Sequence, residues 1–172
     1  MLKLQTSREL LDFFFEASMA TYASGAEAKE STTLPGGKEY TYERCDLRYV
    51  DRYVSGQVGN RGQSAGHTYI EFVPEQRVLW IAGYDGWWLK TCEGVNSFHR
   101  RALMAAYENR QFRYGRGPEE YEEEIFTYHH EETEPLCEEN SREWIYAKID
   151  GDTRLVFEHF CFQRTLVELP RK

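Results

Sequence analysis

Two acidic residues stand among aromatic residues in segments that alternate like β-strands. Asp51 belongs to the segment 46–54, where one set of alternate positions holds four residues: Leu47, Tyr49, Asp51 and Tyr53. Glu71 shares its own set of alternate positions with Tyr69 and Val73. Because alternate residues of a strand lie on one face, these carboxylates could orient a ligand or exchange protons if the faces line a cavity. If the faces point to solvent, both are ordinary surface groups, and the sequence leaves the two alternatives open.

A pair of adjacent tryptophans follows a run of large apolar residues in the stretch VLWIAGYDGWWLK, residues 78–90. The turn-forming pair Asp85-Gly86 predicts that the strand ends there. Neighbouring residues of an extended chain point to opposite faces, so Trp87 and Trp88 are not expected to enter one core together. We expect one ring to close the core and the other to lie at the rim of a pocket or at a protein interface.

Five arginines cluster around a predicted central helix and its exit: Arg100, Arg101, Arg110, Arg113 and Arg116. Guanidinium groups in the turn-rich segment 113–118 could bind a carboxylate or a phosphate in bidentate geometry. The segment 119–124 holds five glutamates that could pair with these arginines instead. Arg113 and Arg116 are therefore candidate ligand-binding residues, with internal ion pairing as the alternative.

The histidines and cysteines predict neither a metal site nor a catalytic residue. His129 and His130 are adjacent in a strand-like segment, so their rings point to opposite faces, and the other histidines are isolated in sequence. His159 and Cys161 share a strand face that reads as core, where a thiol is usually inert. No nucleophile elbow, zinc-protease helix or phosphate-binding loop is present, and no cofactor is indicated.

The order of the predicted elements indicates an α+β fold in one domain, residues 1–172. Helical periodicity covers residues 7–24 and 96–109, and a polar loop, predicted to be mobile, covers residues 25–38. A first group of strands occupies 39–84 and a second group 121–162, with a tight hairpin at Asp150-Gly151. We expect an antiparallel sheet of about six to seven strands with an N-terminal and a central helix.

The two strand groups have related outlines and could form two three-stranded meander halves. The first half comprises 47–54, 67–73 and 77–84, with a flexible glycine-containing loop between its first two strands. The second half comprises 123–130, 143–149 and 153–162.

Composition excludes several classes of partner. The chain has 29 acidic and 21 basic residues, a net charge of −8, which disfavours binding to nucleic acid or to anionic membranes. No apolar run reaches the ~20 residues that span a bilayer, and acidic residues interrupt the N-terminal apolar stretch, unlike a secretory signal. The four cysteines are scattered without paired spacing. We therefore expect a cytoplasmic protein with reduced thiols.

Four segments together resemble a family of bacterial domains of unknown function. They are LPGGKEYTYERCDLRYVDRYVSG, RVLWIAGYDG, FRYGRGPEEYEEEIFTYHHE and WIYAKIDGDTRLVFEHFCF. Members of that family occur alone or C-terminal to XRE-type helix-turn-helix regulators. The resemblance covers roughly residues 10–162 and concerns fold rather than activity. Since no helix pair typical of DNA binding precedes these segments here, a regulatory function is not carried over.

The family pattern is one of aromatic residues, Gly and Asp. It matches a strand with Tyr49, Asp51, Tyr53 and Gly56, a strand with Trp80, Tyr84 and Gly86, and the turn Arg116-Gly117-Pro118. This chain departs from the pattern in the polar loop GQVGNRGQSAG, where the family has a more aromatic segment.

A small-molecule binding or sensor module with an aromatic-lined pocket is the function that these patterns favour. Ten residues are the candidate ligand-binding set: Tyr49, Asp51, Tyr53, Glu71, Trp80, Tyr84, Trp87, Trp88, Arg113 and Arg116. The alternatives are a protein-interaction or homodimeric domain, in which a tryptophan anchors a partner, and an enzyme without a recognisable motif. A deep pocket with two carboxylates of shifted pKa would favour the enzyme.

Overall fold

The computed structural model describes residues 7–112, 116–133 and 139–166. Its helices are α1 Ser7–Ala20 and α2 Val95–Glu108, and short 3-10 helices lie at Tyr22–Ser24 and Val73–Glu75. Nine strands complete the described part: β1 Lys29–Glu30, β2 Lys38–Arg44, β3 Leu47–Val58, β4 Arg61–Phe72, β5 Arg77–Leu89, β6 Glu120–Glu123, β7 Phe126–Thr133, β8 Glu139–Ile149 and β9 Asp152–Thr165. The predicted α+β class is confirmed, with nine strands in place of the six to seven expected.

All nine strands belong to one antiparallel sheet with the order β1-β2-β3-β4-β5-β9-β8-β7-β6. Strands β1 to β5 form one meander and strands β6 to β9 form another. The two meanders join along β5 and β9, which pair from Trp80↔Thr165 to Trp88↔Phe157. The two halves are therefore meanders of five and four strands rather than the three strands each that were expected, and α2 carries the chain from one to the other.

The hairpin turns follow local backbone chemistry. Asp150 and Gly151 both have positive φ, 53° and 86°, as a two-residue turn between twisted strands requires, so the tight hairpin is confirmed. The prediction of a flexible loop between the first two strands of the first half is wrong. Strands β3 and β4 pair continuously as far as Val58↔Arg61, and only two residues, 59 and 60, form the turn.

The predicted strand end at Asp85-Gly86 is also wrong. Strand β5 continues to Leu89 because it is paired on both sides there. Gly86 lies opposite Ser64 of β4 and opposite His159 of β9. Backbone pairing with two neighbours thus outweighs the turn preference of the dipeptide.

Helix boundaries differ slightly from the periodicity. Helix α1 ends at Ala20, and the 3-10 helix that follows is closed by Gly25 in the left-handed conformation. Helix α2 begins at Val95, one residue before the predicted start, with Gly94, also left-handed, at its N-cap position. Glu124 and Ile125 form a turn that divides the predicted strand 123–130 between β6 and β7.

Both helices pack on one face of the sheet, called the inner face here. One apolar cluster joins α1 and the C-terminal half of α2 to β3, β4 and β5, with Phe14 and Trp80 in edge-to-face contact at 5.2 Å. A second cluster joins the N-terminal half of α2 to β7, β8 and β9, with Phe98 and Phe126 stacked at 5.0 Å. Polar side chains occupy the region where these clusters meet. No helix among the described residues is long and apolar enough to cross a membrane.

Candidate functional site

A row of residues crosses four neighbouring strands on the inner face. Ser64 of β4 is directly opposite Gly86 of β5, Gly86 is opposite His159 of β9, and His159 is opposite Glu143 of β8. Directly opposite residues of an antiparallel sheet share a face. The register of the sheet therefore brings a hydroxyl, an imidazole and a carboxylate into one line.

Glu143 is the centre of this row and is completely buried, with 0% exposure. Its Oε2 accepts a hydrogen bond from the Tyr128 hydroxyl at 2.8 Å. Its Oε1 accepts from His99 Nε2 at 3.1 Å, from His159 Nδ1 at 3.2 Å and from the Arg116 guanidinium. Burial alone would raise the pKa of Glu143, but Arg116 and the two histidines hold it well below its usual range. Glu143 is therefore an ionised carboxylate inside the protein.

The charge of Glu143 fixes the proton positions of both imidazoles. An ionised carboxylate can only accept, so the proton lies on Nε2 of His99 and on Nδ1 of His159. The remaining ring nitrogens face hydroxyls: His99 Nδ1 accepts from Tyr22 at 3.1 Å, and His159 Nε2 faces Ser64 Oγ at 3.3 Å. Burial lowers the pKa of both histidines, that of His159 to about 4, so both are neutral at pH 7.

Gly86 provides the space through which His159 reaches Ser64. A Cβ atom at Gly86 would collide with the His159 ring and with the backbone carbonyl of Glu158. The imidazole thus lies over bare backbone on β5 and contacts a residue two strands away from its own. Any other residue at position 86 would separate the imidazole from the hydroxyl.

Asp51 is a second buried carboxyl group near this row, with 5% exposure. Its Oδ1 accepts hydrogen bonds from Tyr84 Oη at 3.0 Å and Thr68 Oγ1 at 3.2 Å. Burial raises the pKa of Asp51 to about 6, and these two hydroxyls together with Arg116 oppose that rise. The region thus holds two carboxyl groups whose pKa values are shifted in opposite directions, which is a feature of functional sites.

An open cavity of about 210 Å³ lies against these groups. Its polar wall includes Asp51, Ser64, His99 and His159. Its aromatic wall is formed by five rings: Tyr22, Tyr53, Tyr84, Trp88 and Phe157. Aromatic walls with a few convergent polar groups are typical of ligand pockets.

Two guanidinium groups also line the cavity. That of Arg100 lies 5.0 Å above the Tyr22 ring, and that of Arg116 lies 5.4 Å above the Tyr84 ring. Arg116 is neutralised by Glu143, whereas no ion pair of Arg100 occurs within the described ranges. The Nε atoms of both arginines are buried and lack a hydrogen-bond partner among the described residues. The cavity therefore offers two buried Nε–H donors, and the charge of Arg100 has no ion-pair partner among the described residues.

Five of the ten sequence candidates meet at this cavity: Asp51, Tyr53, Tyr84, Trp88 and Arg116. Tyr49 and Trp80 lie beside it in the core, where Trp80 Nε1 donates to Gln163 Oε1 at 3.1 Å. Their role is to support the wall behind Asp51. Arg113 lies outside the described residues.

Glu71 and Trp87 do not line the cavity, because both lie on the opposite, outer face of the sheet. Glu71 is opposite Arg48 in the register and forms an ion pair with it at 3.6 Å. Trp87 donates from Nε1 to Glu158 at 3.1 Å, and the Arg61 guanidinium covers its ring at 4.1 Å. The expected separation of the two tryptophans is therefore real, with Trp88 as the cavity residue.

Other arginines of the predicted anion-binding cluster have carboxylate partners. Arg101 pairs with Glu123 at 2.8 Å, and Arg110 pairs with Asp12. Glu123 belongs to the acidic segment 119–124 that follows the cluster, whereas Asp12 lies in α1. Internal pairing therefore accounts for Arg101 and Arg110.

Sequence reasoning missed Ser64, His99, Glu143 and Arg100 as members of one site. These residues come from β4, α2 and β8, and no local spacing connects them. His159 was assigned to the core together with Cys161, and both are indeed buried. Burial raises the pKa of the Cys161 thiol to about 12, so that thiol is unreactive, whereas His159 reaches the cavity.

The side chains of His99, Glu143 and His159 also form a set of donors that could hold a metal ion, since their ligand atoms lie within 4.8 Å of one another. Two imidazoles and a carboxylate suit zinc. However, the Arg116 guanidinium already occupies Glu143 Oε1, so its positive charge lies beside the point where such an ion would bind. The internal ion pair and the two histidine hydrogen bonds account for the cluster.

Comparison with known proteins provides no relative. No protein-family model matches the chain, and no curated protein and no solved structure matches it. The resemblance to a bacterial domain family stays a prediction.

Proposed function

We propose that the protein binds a small organic molecule with an anionic group, and that the cavity beside Asp51 and His159 is the binding site. The observation that carries this proposal is the Arg100 guanidinium. It lines an aromatic cavity, it has a buried Nε without a partner among the described residues, and no described carboxylate neutralises it.

The size and walls of the cavity define the class of ligand. A volume of about 210 Å³ is below the ~300–1,000 Å³ of pockets that hold drug-sized molecules, so the ligand is a small metabolite. Aromatic rings on several sides favour a flat, unsaturated or aromatic body. A carboxylate is the anionic group that best fits one guanidinium whose Nε–H lacks a partner among the described residues.

Asp51 adds selectivity at the other polar part of the wall. With a pKa of about 6, its carboxyl group can accept or share a proton near neutral pH. Together with the Tyr84 hydroxyl it can bind a hydroxyl or amine substituent of the ligand. An aromatic carboxylate with one further polar substituent meets all these requirements.

Native mass spectrometry of the purified protein, compared with its denatured mass, tests the proposal without a guess about the ligand. We expect an extra mass that is lost on denaturation. In parallel, benzoate and inorganic phosphate are added in a thermal-shift assay, and benzoate is expected to raise Tm.

Two neighbouring arginines provide a matched pair of variants for this assay. Arg100→Met removes the cavity charge and should weaken benzoate binding about tenfold or more, since hydrogen bonds to charged groups contribute ~1.5–3 kcal/mol. Arg101→Met removes an exposed arginine that pairs with Glu123 and should leave binding unchanged. The proposal fails if the purified protein carries no ligand and neither anion raises Tm. It also fails if both variants bind benzoate like the wild type.

Self-association is a second candidate function, favoured by two phenylalanines on the outer face of β9. Phe160 is 51% exposed and Phe162 is 43% exposed. Aromatic side chains that lie together on an open sheet face are typical of interfaces, and a second copy of the chain would cover them. Sedimentation at increasing protein concentration should show a dimer that Phe160→Lys abolishes. A monomer at every protein concentration would contradict self-association through the outer face.

A further inference from the structure

Ser64, His159 and Glu143 form a hydrogen-bonded series beside the cavity. Ser64 Oγ lies 3.3 Å from His159 Nε2, and His159 Nδ1 lies 3.2 Å from Glu143 Oε1. Ser64 and His159 line the cavity, whereas Glu143 is fully buried. Nucleophile, base and orienting carboxylate occur in this order in serine hydrolases of several unrelated folds.

The proton positions agree with this chemistry. Because Nδ1–H of His159 donates a hydrogen bond to Glu143, the unprotonated Nε2 of His159 is directed at the Ser64 hydroxyl. This is the tautomer in which an imidazole can take the proton of a serine. Distances slightly longer than ideal are normal for such pairs before a substrate is bound.

We infer that the cavity is an acyl-transfer site in which Ser64 is the nucleophile, His159 the general base and Glu143 the positioning residue. This inference rests on the proposed function, because the acyl compound must be the small molecule that the cavity binds. The substrate class is a carboxylic ester with a small aromatic or unsaturated acyl or alcohol part.

The steps balance with water as the only co-reactant. Ser64 Oγ attacks the ester carbonyl, and its proton moves to His159 Nε2. The bond between the carbonyl carbon and the alcohol oxygen then breaks, and His159 returns the proton to the leaving alcohol. Water, deprotonated by the same imidazole, then attacks the acyl carbonyl. The bond between the carbonyl carbon and Ser64 Oγ breaks, His159 returns the proton to Oγ, and the acid is released. The negative charge of Glu143 stabilises the imidazolium that forms twice in this cycle.

The two cavity arginines supply positive charge for the oxyanion of the tetrahedral intermediate. The Nε–H groups of Arg100 and Arg116, which lack a hydrogen-bond partner within the described part of the chain, are buried donors in the wall of the same cavity. Buried, fixed donors stabilise a developing oxyanion more strongly than water does, because they need no reorganisation. After deacylation, Arg100 would hold the carboxylate of the released acid.

The sheet itself explains why no sequence motif announces this site. The nucleophile lies within strand β4 rather than on a sharp turn, and its base comes from β9, on the far side of the intervening β5. The arrangement depends on the bare backbone of Gly86, which Ser64 and His159 flank in the register. If Ser64 had only a structural role, the sheet would not need the space at Gly86 through which His159 reaches the Ser64 hydroxyl.

The test uses p-nitrophenyl acetate for turnover and phenylmethylsulfonyl fluoride for a stable label on the full chain. We expect release of p-nitrophenol with acetate, and a single sulfonyl adduct that peptide mapping places on Ser64. Ser64→Ala should abolish the adduct and lower turnover at least ~100-fold, and His159→Gln should lower turnover ~100-fold or more. Ser31→Ala is the control, because Ser31 does not line the cavity.

The adduct position in the wild-type protein decides the matter even if a variant fails to fold. An adduct on Tyr, Lys or Ser55, or no adduct together with turnover that Ser64→Ala retains, overturns the inference. Benzoate binding separates this failure from that of the proposed function. If benzoate raises the Tm of the wild type and of Ser64→Ala while Ser64 remains unlabelled, the cavity binds ligands without acyl transfer.

Discussion

The imidazole of His159 lies over the backbone of Gly86, in a space that any side chain would fill. The contact joins the two halves of the sheet at their shared border, between β5 and β9. Through this gap a base from the second half reaches a hydroxyl of the first half. The site is therefore a property of the assembled sheet, and neither meander contains it alone.

Gly86→Ala should disrupt the contact between His159 and Ser64 without replacing any of the site's functional side chains. The added Cβ collides with the His159 ring and the Glu158 carbonyl, so we expect a loss of ~1–3 kcal/mol in unfolding free energy from overpacking. We also expect loss of the Ser64 sulfonyl adduct. Urea unfolding and label mapping measure the two effects.

Gly56→Ala provides the control for this substitution. Gly56 lies in the long β3–β4 hairpin, and a Cβ there meets no atom within 4 Å. The unfolding free energy of Gly56→Ala and the labelling of its Ser64 should match those of the wild type. If Gly86→Ala labels as well as Gly56→Ala does, the Gly86 gap does not govern the Ser64–His159 contact.

The parts of the site that sequence could predict are those set by local alternation. Alternation placed Asp51 on the same face as Tyr49 and placed Trp87 and Trp88 on opposite faces, and the structure shows both arrangements. It could not decide which face was buried, because tyrosines tolerate either side. Glu71 illustrates this limit, since its neighbours resembled those of Asp51 although it lies on the outer face beside Arg48.

The remaining parts of the site depend on the pairing of distant strands. Ser64 and His159 are 95 residues apart in sequence. Their proximity follows from the register of β4 with β5 and of β5 with β9, which a single sequence does not reveal. Gly86 was interpreted as a strand end for the same reason, because a glycine that ends a strand and a glycine that admits a neighbour look alike in sequence.

The two histidines of the site should have opposite tautomers. Glu143 accepts from Nε2 of His99 and from Nδ1 of His159, so NMR of the imidazole nitrogens should show these two protonated positions at pH 7. Burial lowers the pKa of His159 to about 4, and its signals should therefore titrate far below those of a free histidine. Identical tautomers in His99 and His159 would contradict the hydrogen-bond scheme.

Asp51 should make the protein less stable as pH rises. Its pKa is raised from 3.8 to about 6 on folding, so the folded state holds the proton more tightly than the unfolded state. Stability is therefore lost as pH increases from about 4 to about 6, by up to ~3 kcal/mol for a shift of about two pKa units. The charged and titratable neighbours, Tyr49, Tyr84 and Arg116, do not titrate in this range because their pKa values are raised well above their usual ones.

Asp51→Asn tests this effect, because the amide keeps an acceptor for Thr68 and Tyr84 but cannot ionise. We expect the variant to equal the wild type in urea unfolding near pH 4 and to exceed it in stability above about pH 6. Asp85→Asn, at an exposed position of β5, is measured beside it as the same substitution outside the buried site. A wild type that remains more stable than Asp51→Asn at pH 8 would show that ionised Asp51 is stabilised by its surroundings.

The adjacent tryptophans should differ sharply in their effect on ligand binding. Trp88 lines the cavity and its ring covers Gly62, whereas Trp87 lies on the outer face under the Arg61 guanidinium. Trp88→Ala should weaken benzoate binding at least tenfold and lower Tm, since truncation of a large aromatic ring removes apolar burial on one wall. Trp87→Ala should leave binding unchanged.

Because Trp88→Ala removes packing as well as a cavity wall, Trp88→Phe is measured beside it and should retain the fold with intermediate affinity. Equal affinities of Trp88→Phe, Trp87→Ala and the wild type, in titrations followed by Tm, would place the ligand away from the aromatic wall.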